Sequence, residues 1–377
     1  MNKETSKKHK GMFFELDYGK NIKLDSKDKK IISLLGQNCR FSISSIRKAI
    51  HASKDSVRYR IKQLVEKDIY RGNVAILNPF ILGFPVYSVL IKLKNLSLEK
   101  EDKIITFFEN HPFIIWVGKT QGAYDFSIII SAKDINHFDK LLKEIQTHLG
   151  DSAEDIKVLH MTKMYSCNTI PLEFQKQAET KIKIERNDSS FSQLLKEPYS
   201  SNQEEKVKLT MKEALILKEL ANNADISLQD ISEKTKIKPD TVRNTIKYLI
   251  TKNVILAFRS SINVSFLKFH GYVSYFKINP SAKEFRRKEF EKYFIDSIHT
   301  SFGTEASGSY YDLMIFLFAQ NPLELNDTIN DIRNKFSDII EEYHADLILK
   351  DYKFTFFPSG LLGPIKEFLV KIGSRFK

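Results

Sequence analysis

The chain contains the same pattern twice. A shift of 185 residues pairs Leu24 with Leu209, Ile31 with Ile216, Ile46 with Ile231, Val57 with Val242, Ile61 with Ile246 and Leu64 with Leu249. The same shift pairs Leu82 with Leu267 and Gly118 with Gly303. Two residues are then gained, so that Asp125 pairs with Asp312, Tyr165 with Tyr352 and Pro171 with Pro358 at a shift of 187. A repeat of about 150 residues is too long for a solenoid unit and long enough for a module with its own core. The chain therefore folds as one module written twice.

The 377 residues divide accordingly. A polar extension (1–23) precedes a first helix-turn-helix unit (24–78) and a first α/β unit (79–172). A polar, charge-mixed stretch (173–207) reads as a flexible linker with a short helix around Phe191–Leu195. A divergent second helix-turn-helix unit (208–264), a second α/β unit (265–360) and a basic tail (361–377) follow. In the tail, Ile365, Phe368, Leu369 and Ile372 recur at helical spacing, which predicts docking on the protein.

In copy one, Asp25 with Asp28 three residues later opens a helix whose apolar face is Ile31, Ile32, Leu34 and Leu35. Ser42 caps a short second helix through Ile46 and Ile50, and Ser53 caps a third with Val57, Ile61, Leu64 and Val65 inward. Three short helices joined by tight polar turns make a helix-turn-helix. Ile69–Leu77 reads as two short strands around a turn, the wing.

Removing the core positions of the third helix leaves Ser53, Lys54, Asp55, Ser56, Arg58, Tyr59, Arg60 and Lys62. Arg and Lys suit phosphates and guanine edges, and Ser and Tyr suit phosphates. Ser53 to Arg58 are expected to face bases, with Arg60 and Lys62 on the backbone and Arg71 in the wing. Copy two offers Lys236, Lys238, Thr241, Arg243, Asn244 and Lys247, while Thr245 stands where copy one has Arg60. A formal charge of +12 agrees with a polyanionic partner, double-stranded DNA first.

The second part of the module alternates strands and helices. The pattern predicts strands at Val86–Leu93, Phe113–Gly118, Tyr124–Ser131 and Ile156–Tyr165, with helices over 97–111 and 134–148. That order, βαββαβ, is the ferredoxin-like sandwich, and copy two repeats it. The expected fold class is thus α+β: two tandem modules, each a winged helix-turn-helix followed by a ferredoxin-like sandwich domain.

Other classes find little footing. Cys39 and Cys167 are the only cysteines, with no paired spacing, so neither a disulfide framework nor a zinc site is expected. The charged start lacks an apolar signal core, and no run of about 18 apolar residues exists, which predicts a soluble cytoplasmic protein without membrane contact. There is no phosphate-binding GxxxxGK[ST] loop, no GxSxG elbow and no GxGxxG after a strand. The expectation is a protein that is not an enzyme, with no cofactor, metal or catalytic residue.

The residues Leu24-Asp25-x-x-Asp28-x-x-Ile31 and Ser53-x-x-Ser56-Val57-x-x-Arg60-Ile61-x-x-Leu64 resemble the Lrp/AsnC feast-famine transcription regulators. So do Ile69-x-x-Gly72-x-x-Ala75-x-Leu77-Asn78 with Leu82-Gly83, and Gly122-Ala123-Tyr124-Asp125 in the sandwich. Copy two is an eroded version, with Ala257 for Gly72, Lys268 for Gly83, and a longer turn, Gly308-Ser309-Tyr310-Tyr311-Asp312. The resemblance implies a sequence-specific DNA-binding regulator that oligomerises through its sheet. It also implies a small effector such as an amino acid near Gly122, Tyr124 and Asp125, residues that equally well shape a tight turn. Tethering predicts an intramolecular pseudo-dimer that can assemble further as a homo-oligomer. A branch with this fold, the siroheme decarboxylases, acts on a tetrapyrrole; that reading would need His111, His137, His148, His160, His270, His299 or His344 to converge on the sandwich.

Overall fold

The computed structural model describes residues 12–16, 22–182, 190–195, 206–297, 299–308 and 310–362. Copy one begins with three helices, α1 (Ser26–Gln37), α2 (Ile43–Ala49) and α3 (Lys54–Glu66), followed by strand β1 (Tyr70–Leu77). The capping box of α1 is Asp25 with Asp28, and Ser42 and Ser53 cap α2 and α3 through the backbone N–H of Ser45 and Ser56. The sandwich unit runs β2 (Val86–Leu93), α4 (Leu98–Asn110), β3 (Ile114–Gln121), β4 (Phe126–Ser131), α5 (Ile135–Leu149) and β5 (Ala153–Cys167). A short helix, α6 (Leu172–Ala178), follows.

Copy two repeats the series with α7 (Met211–Asn222), α8 (Leu228–Thr235), α9 (Pro239–Thr251) and β6 (Ile255–Ile262). Its sandwich comprises β7 (His270–Ile278), α10 (Glu284–Asp296), β8 (Thr300–Ser307), β9 (Leu313–Ala319), α11 (Pro322–Phe336) and β10 (Ile340–Phe354). No helix among the described residues is long and apolar enough to cross a membrane.

The two four-stranded sheets close on each other. β5 of copy one pairs with β8 of copy two, β10 pairs with β3, and the result is one eight-stranded barrel in the order β10-β3-β4-β2-β5-β8-β9-β7. Closure leaves the barrel itself without an open edge. α4 and α5 cover one outer face over Val89, Ile91, Val117, Ile128 and Ile130. α10 and α11 cover the other over Phe276, Ile315 and Leu317. The barrel interior and both helix-turn-helix units share a third, continuous core.

Three expectations are corrected. The stretch 69–77 is not a hairpin: β1 is one strand, and its partner is β6 of the other copy, with Val74 opposite Arg259 and Ala75 opposite Phe258. A strand rich in buried side chains finds a longer apolar partner across the molecule than it would by folding back on itself. Phe191–Leu195 is a turn rather than a helix, with Phe191 buried against Phe258 and under the Arg40 guanidinium. Nor is the N-terminal extension merely polar, because Phe13 and Phe14 are buried and Glu15 bridges to Lys350 of β10. The amphipathic tail at Ile365–Ile372 lies outside the described residues.

The helix-turn-helix units are clipped to each other. Arg40 donates to the carbonyls of Ala224 (2.6 Å) and Ile226 (3.2 Å), at the α7–α8 turn of copy two. Arg259 of β6 returns the contact, donating to the carbonyls of Gly36 and Gln37 at the end of α1. Buried guanidiniums placed on backbone carbonyls fix the two units as one body.

Candidate nucleic-acid interface

Helix α3 begins at Ser53, whose hydroxyl accepts the Ser56 N–H at 3.1 Å, so both serines belong to the cap. Val57 and Leu64 are buried beneath, which turns Lys54, Arg58, Tyr59 and Lys62 outward; Tyr59 is 63% exposed. Arg58 and Lys62 make only loose, solvent-facing pairs with Asp55 (3.2 Å) and Glu66 (3.7 Å), which cost little to exchange for phosphates. Lys27, Arg47, Lys48, His51, Ser53 and Ser56 line an open basic depression beside the start of α3. Sequence reasoning missed Lys27, Arg47, Lys48 and His51; the signal was the basic last turn of α2, which tertiary packing swings next to α3.

Two of the expected DNA contacts are engaged elsewhere. Arg60 reaches back to the capping box of α1, 2.7 Å from Asp25 Oδ2 and 2.6 Å from Asp28 Oδ1. Burial alone would raise the Asp25 carboxyl, but the Asp28 N–H and the Arg60 guanidinium outweigh it and hold the group below its ordinary range. In copy two the capping box persists as Thr210 with Glu213, but Thr245 stands in place of Arg60, so no arginine clamps it. Arg71, with its side chain only 3% exposed, pairs with Glu15 (2.6 Å) and Asp68 (2.9 Å) inside the molecule and presents nothing to a groove.

Helix α9 carries the second face. Val242, Ile246, Leu249 and Ile250 are buried, and Lys236, Lys238, Thr241, Arg243, Asn244 and Lys247 are all exposed. Its N-cap Lys238 makes no side-chain cap, and Pro239 at the first helical position stands in for that order. Both third helices therefore present cations on the face turned away from the core.

The turn Gly122–Asp125 is built into the junction between the copies. The Asp125 carboxylate accepts the Leu93 N–H at 2.7 Å, and Asp312 does the same for Ile278 N–H in copy two. Asp346 of β10, itself buried, accepts the N–H of Ala123 (2.7 Å) and Tyr124 (3.3 Å). A Cβ on Gly122 would lie 2.0 Å from Asp346 Oδ1, so glycine is required by that close approach. Tyr124 is buried with its hydroxyl 3.4 Å from that of Tyr311, its counterpart in copy two, and both rings contact Tyr275. The three residues expected around an effector thus belong to a turn that Asp125 ties to its own module and that Asp346 and Tyr311 hold from the partner module.

The histidines do not gather at one site. His111 at the end of α4, with His137 and the exposed His148 on α5, interleave with Phe107 and Phe113 on the outer helical layer. His160 stacks on Tyr87, and His344 pairs with Glu342 at 2.8 Å. Glu173, His299 and Glu324 bring ligand-type atoms within 4.8 Å of one another, in a partly exposed position.

Comparison with known proteins matches this geometry. Residues 24–65 fit the model of the AsnC-type helix-turn-helix domain, and residues 214–255 fit that of a winged helix-turn-helix DNA-binding domain. The HTH-type transcriptional regulator Ptr1 of Methanocaldococcus jannaschii is 34% identical over 122 residues, covering 32% of this chain and 80% of that protein. The DNA-binding transcriptional activator DecR of Escherichia coli K12 is 24% identical over 151 residues, 40% of this chain and 99% of that protein. Each such relative corresponds to one module. Over nearly the whole length, the fold is similar to the crystal structure of the siroheme decarboxylase NirDL, with a TM-score of 0.54 at 12% identity, covering 89% of this chain and 94% of that one.

Proposed function

This chain belongs to the Lrp/AsnC family of helix-turn-helix transcription regulators, with the family module present in tandem, and from that premise we propose how it meets DNA. It is a DNA-binding regulator in which α3 of copy one carries the sequence-reading face. Lys54, Arg58 and Tyr59 address the groove, and Lys62 addresses the backbone together with Arg47 and Lys48 from α2. Helix α9 adds phosphate contacts through Lys236, Lys238, Arg243 and Lys247, with Thr241 and Asn244 beside them. The observation that carries this reading is the pair of exposed cationic third helices held as one body by β1–β6 pairing.

Two finer points have less support. An amino-acid effector at Gly122, Tyr124 and Asp125 would have to displace the contacts Tyr124 makes across the copies and the one Asp125 makes to Leu93 within its own. Catalysis on a tetrapyrrole rests on fold likeness alone, since the histidines are dispersed. The pseudo-dimer is intramolecular, formed by the β5–β8 and β10–β3 seams within one chain.

The test is duplex binding on footprinted promoter fragments. Lys54→Ala combined with Arg58→Ala and Lys62→Ala should weaken specific binding by about 100-fold or more and flatten its salt dependence. A triple alanine variant on α9 and its cap, at Lys238, Arg243 and Lys247, should cost less and mainly reduce the salt slope. A copy-one triple variant that retards its promoter as well as wild type does would sink the assignment of α3.

A further inference from the structure

At the end of the barrel nearest the helix-turn-helix pair lies an apolar cavity of about 70 Å³. It is walled by strands of both copies, by Pro79 and Phe80 where the first helix-turn-helix joins the barrel, and by Phe13 and Phe14. Trp116, Phe302, Phe316 and Phe356 supply ring surface, and Met161 and Met164 supply pliable thioethers. Among the described residues no Asp, Glu, Lys, Arg or His lines it, and Cys167 contributes a thiol. One polar group breaks the apolar wall without a partner: Thr169, 5% exposed, whose Oγ1 is buried and makes no hydrogen bond. An unsatisfied buried hydroxyl is costly and asks for a ligand group or a water to satisfy it.

The fourth wall is a strap. Residues 12–16 cross the barrel end, and the Asp351 carboxylate of β10 accepts the N–H of Met12 (3.0 Å), Phe13 (3.0 Å) and Phe14 (2.8 Å). Phe14 lies directly on the backbone of Gly271, where a Cβ would be 2.1 Å from its ring. At the equivalent place copy one has Val86, and in place of Asp351 it has Met164, so the seat for the strap exists on one side only. A bare backbone under an aromatic ring and a buried carboxylate aimed at three amides are a receptor for this segment.

We propose that the cavity is a binding site for a small neutral aromatic molecule carrying one hydrogen-bonding group, a phenol-type ligand, which competes with the ring of Phe14. Ring surface selects the aromatic body, Thr169 takes the hydroxyl, and the absence of any lining charge excludes zwitterionic amino acids, which would be desolvated without compensation. A dry cavity of roughly 150 Å³ suffices for a benzene, so a ligand enters as Phe14 leaves. Because the strap also holds β6, through Ser261 Oγ to Met12 O (2.6 Å), and β1, through the Glu15–Arg71 pair, occupancy is felt at the helix-turn-helix junction. That last consequence rests on the regulator reading; binding itself does not.

Trp116 is the sole tryptophan of the chain and lines the cavity, so its fluorescence reports occupancy directly. 4-Bromophenol, a heavy-atom quencher that is neutral at pH 7, should quench the full-length protein saturably. Phe14→Ala should bind it about tenfold more tightly, and Phe14→Leu should do so in smaller measure, guarding against a strap that fails to fold. Thr169→Val should erase the preference for 4-bromophenol over 4-bromotoluene. Linear, non-saturating quenching in wild type and in both Phe14 variants overturns the site, and an unchanged preference in Thr169→Val overturns the chemistry assigned to it. These titrations contain no DNA, so their failure leaves promoter binding untouched, and the reverse also holds.

Discussion

Arg60 shows how a residue on the right helix face can do other work. On the sequence it falls beside Lys62 on the outward side of α3, yet two carboxylates of the α1 capping box hold it. Arg60→Ala should therefore lower stability by about 1 kcal/mol in thermal or denaturant unfolding, while leaving the base preference of the promoter unchanged. A switched base preference at constant stability would restore it to the reading face. Asp351 makes the second residue-scale case. Burial comes first among its influences and raises the carboxyl from 3.8 to about 6, against the lowering effect of the Phe14, Phe13 and Met12 amides and the Arg71 charge. A raised folded pKa favours the folded state at low pH, so this contribution is full below about pH 4 and fades as pH rises through 6. Relative to Asp351→Asn, wild type should gain on the order of 3 kcal/mol between pH 7 and pH 4. A stability difference that stays flat over that window would remove Asp351 as a titrating anchor. Glu15, next to it, behaves oppositely: burial would raise it, but Lys350 and Arg71 hold it low.

Among the elements, β1 departs furthest from expectation. Its composition alternates well enough for a strand, and Gly72-Asn73 offers a turn, so a local hairpin was the natural reading. The long-range partner β6 won because it pairs from Tyr70 to Leu77 and buries both strands at once. Ala75→Pro should disrupt the β1–β6 ladder and destabilise both helix-turn-helix units together by about 2 kcal/mol, seen as a coincident loss of helical signal and promoter binding. If only copy one were to lose structure, the strands would not be the shared brace described here. The Gly122 turn is a parallel case. Gly122→Ala collides with Asp346 and should cost about 2 kcal/mol through the barrel junction. A neutral result in chemical denaturation would show that the carboxylate can move aside.

For the whole molecule, tethering decides what kind of stability is measured. Both barrel seams, β5–β8 and β10–β3, join copies within one chain. Unfolding should then be a single cooperative transition whose midpoint does not shift on roughly 100-fold dilution, unlike that of a dimer held by mass action. A midpoint that falls with dilution would mean that the seams form between chains. The fused halves also diverge where separate, identical subunits could not. β10 places Asp346 and Asp351 where β5 has Leu159 and Met164, so copy two holds both the copy-one turn and the strap.

Much of this was legible from residues alone. Periodicity placed the helix-turn-helix and βαββαβ elements within a few residues of where they lie, because caps such as Ser53 and Asp25 and alternating apolar strands act locally. The same local signals exposed Lys54, Arg58 and Lys62, since burying Val57 and Leu64 leaves them no other side. What one-dimensional pattern does not carry is the choice among partners of equal chemistry. Arg60 could face phosphate or carboxylate, β1 could fold back or reach across, and Phe14 could sit in solvent or on Gly271. Those choices depend on which surfaces closure of the barrel brings together, and the repeat, written twice, came to use its two copies differently once they shared one core.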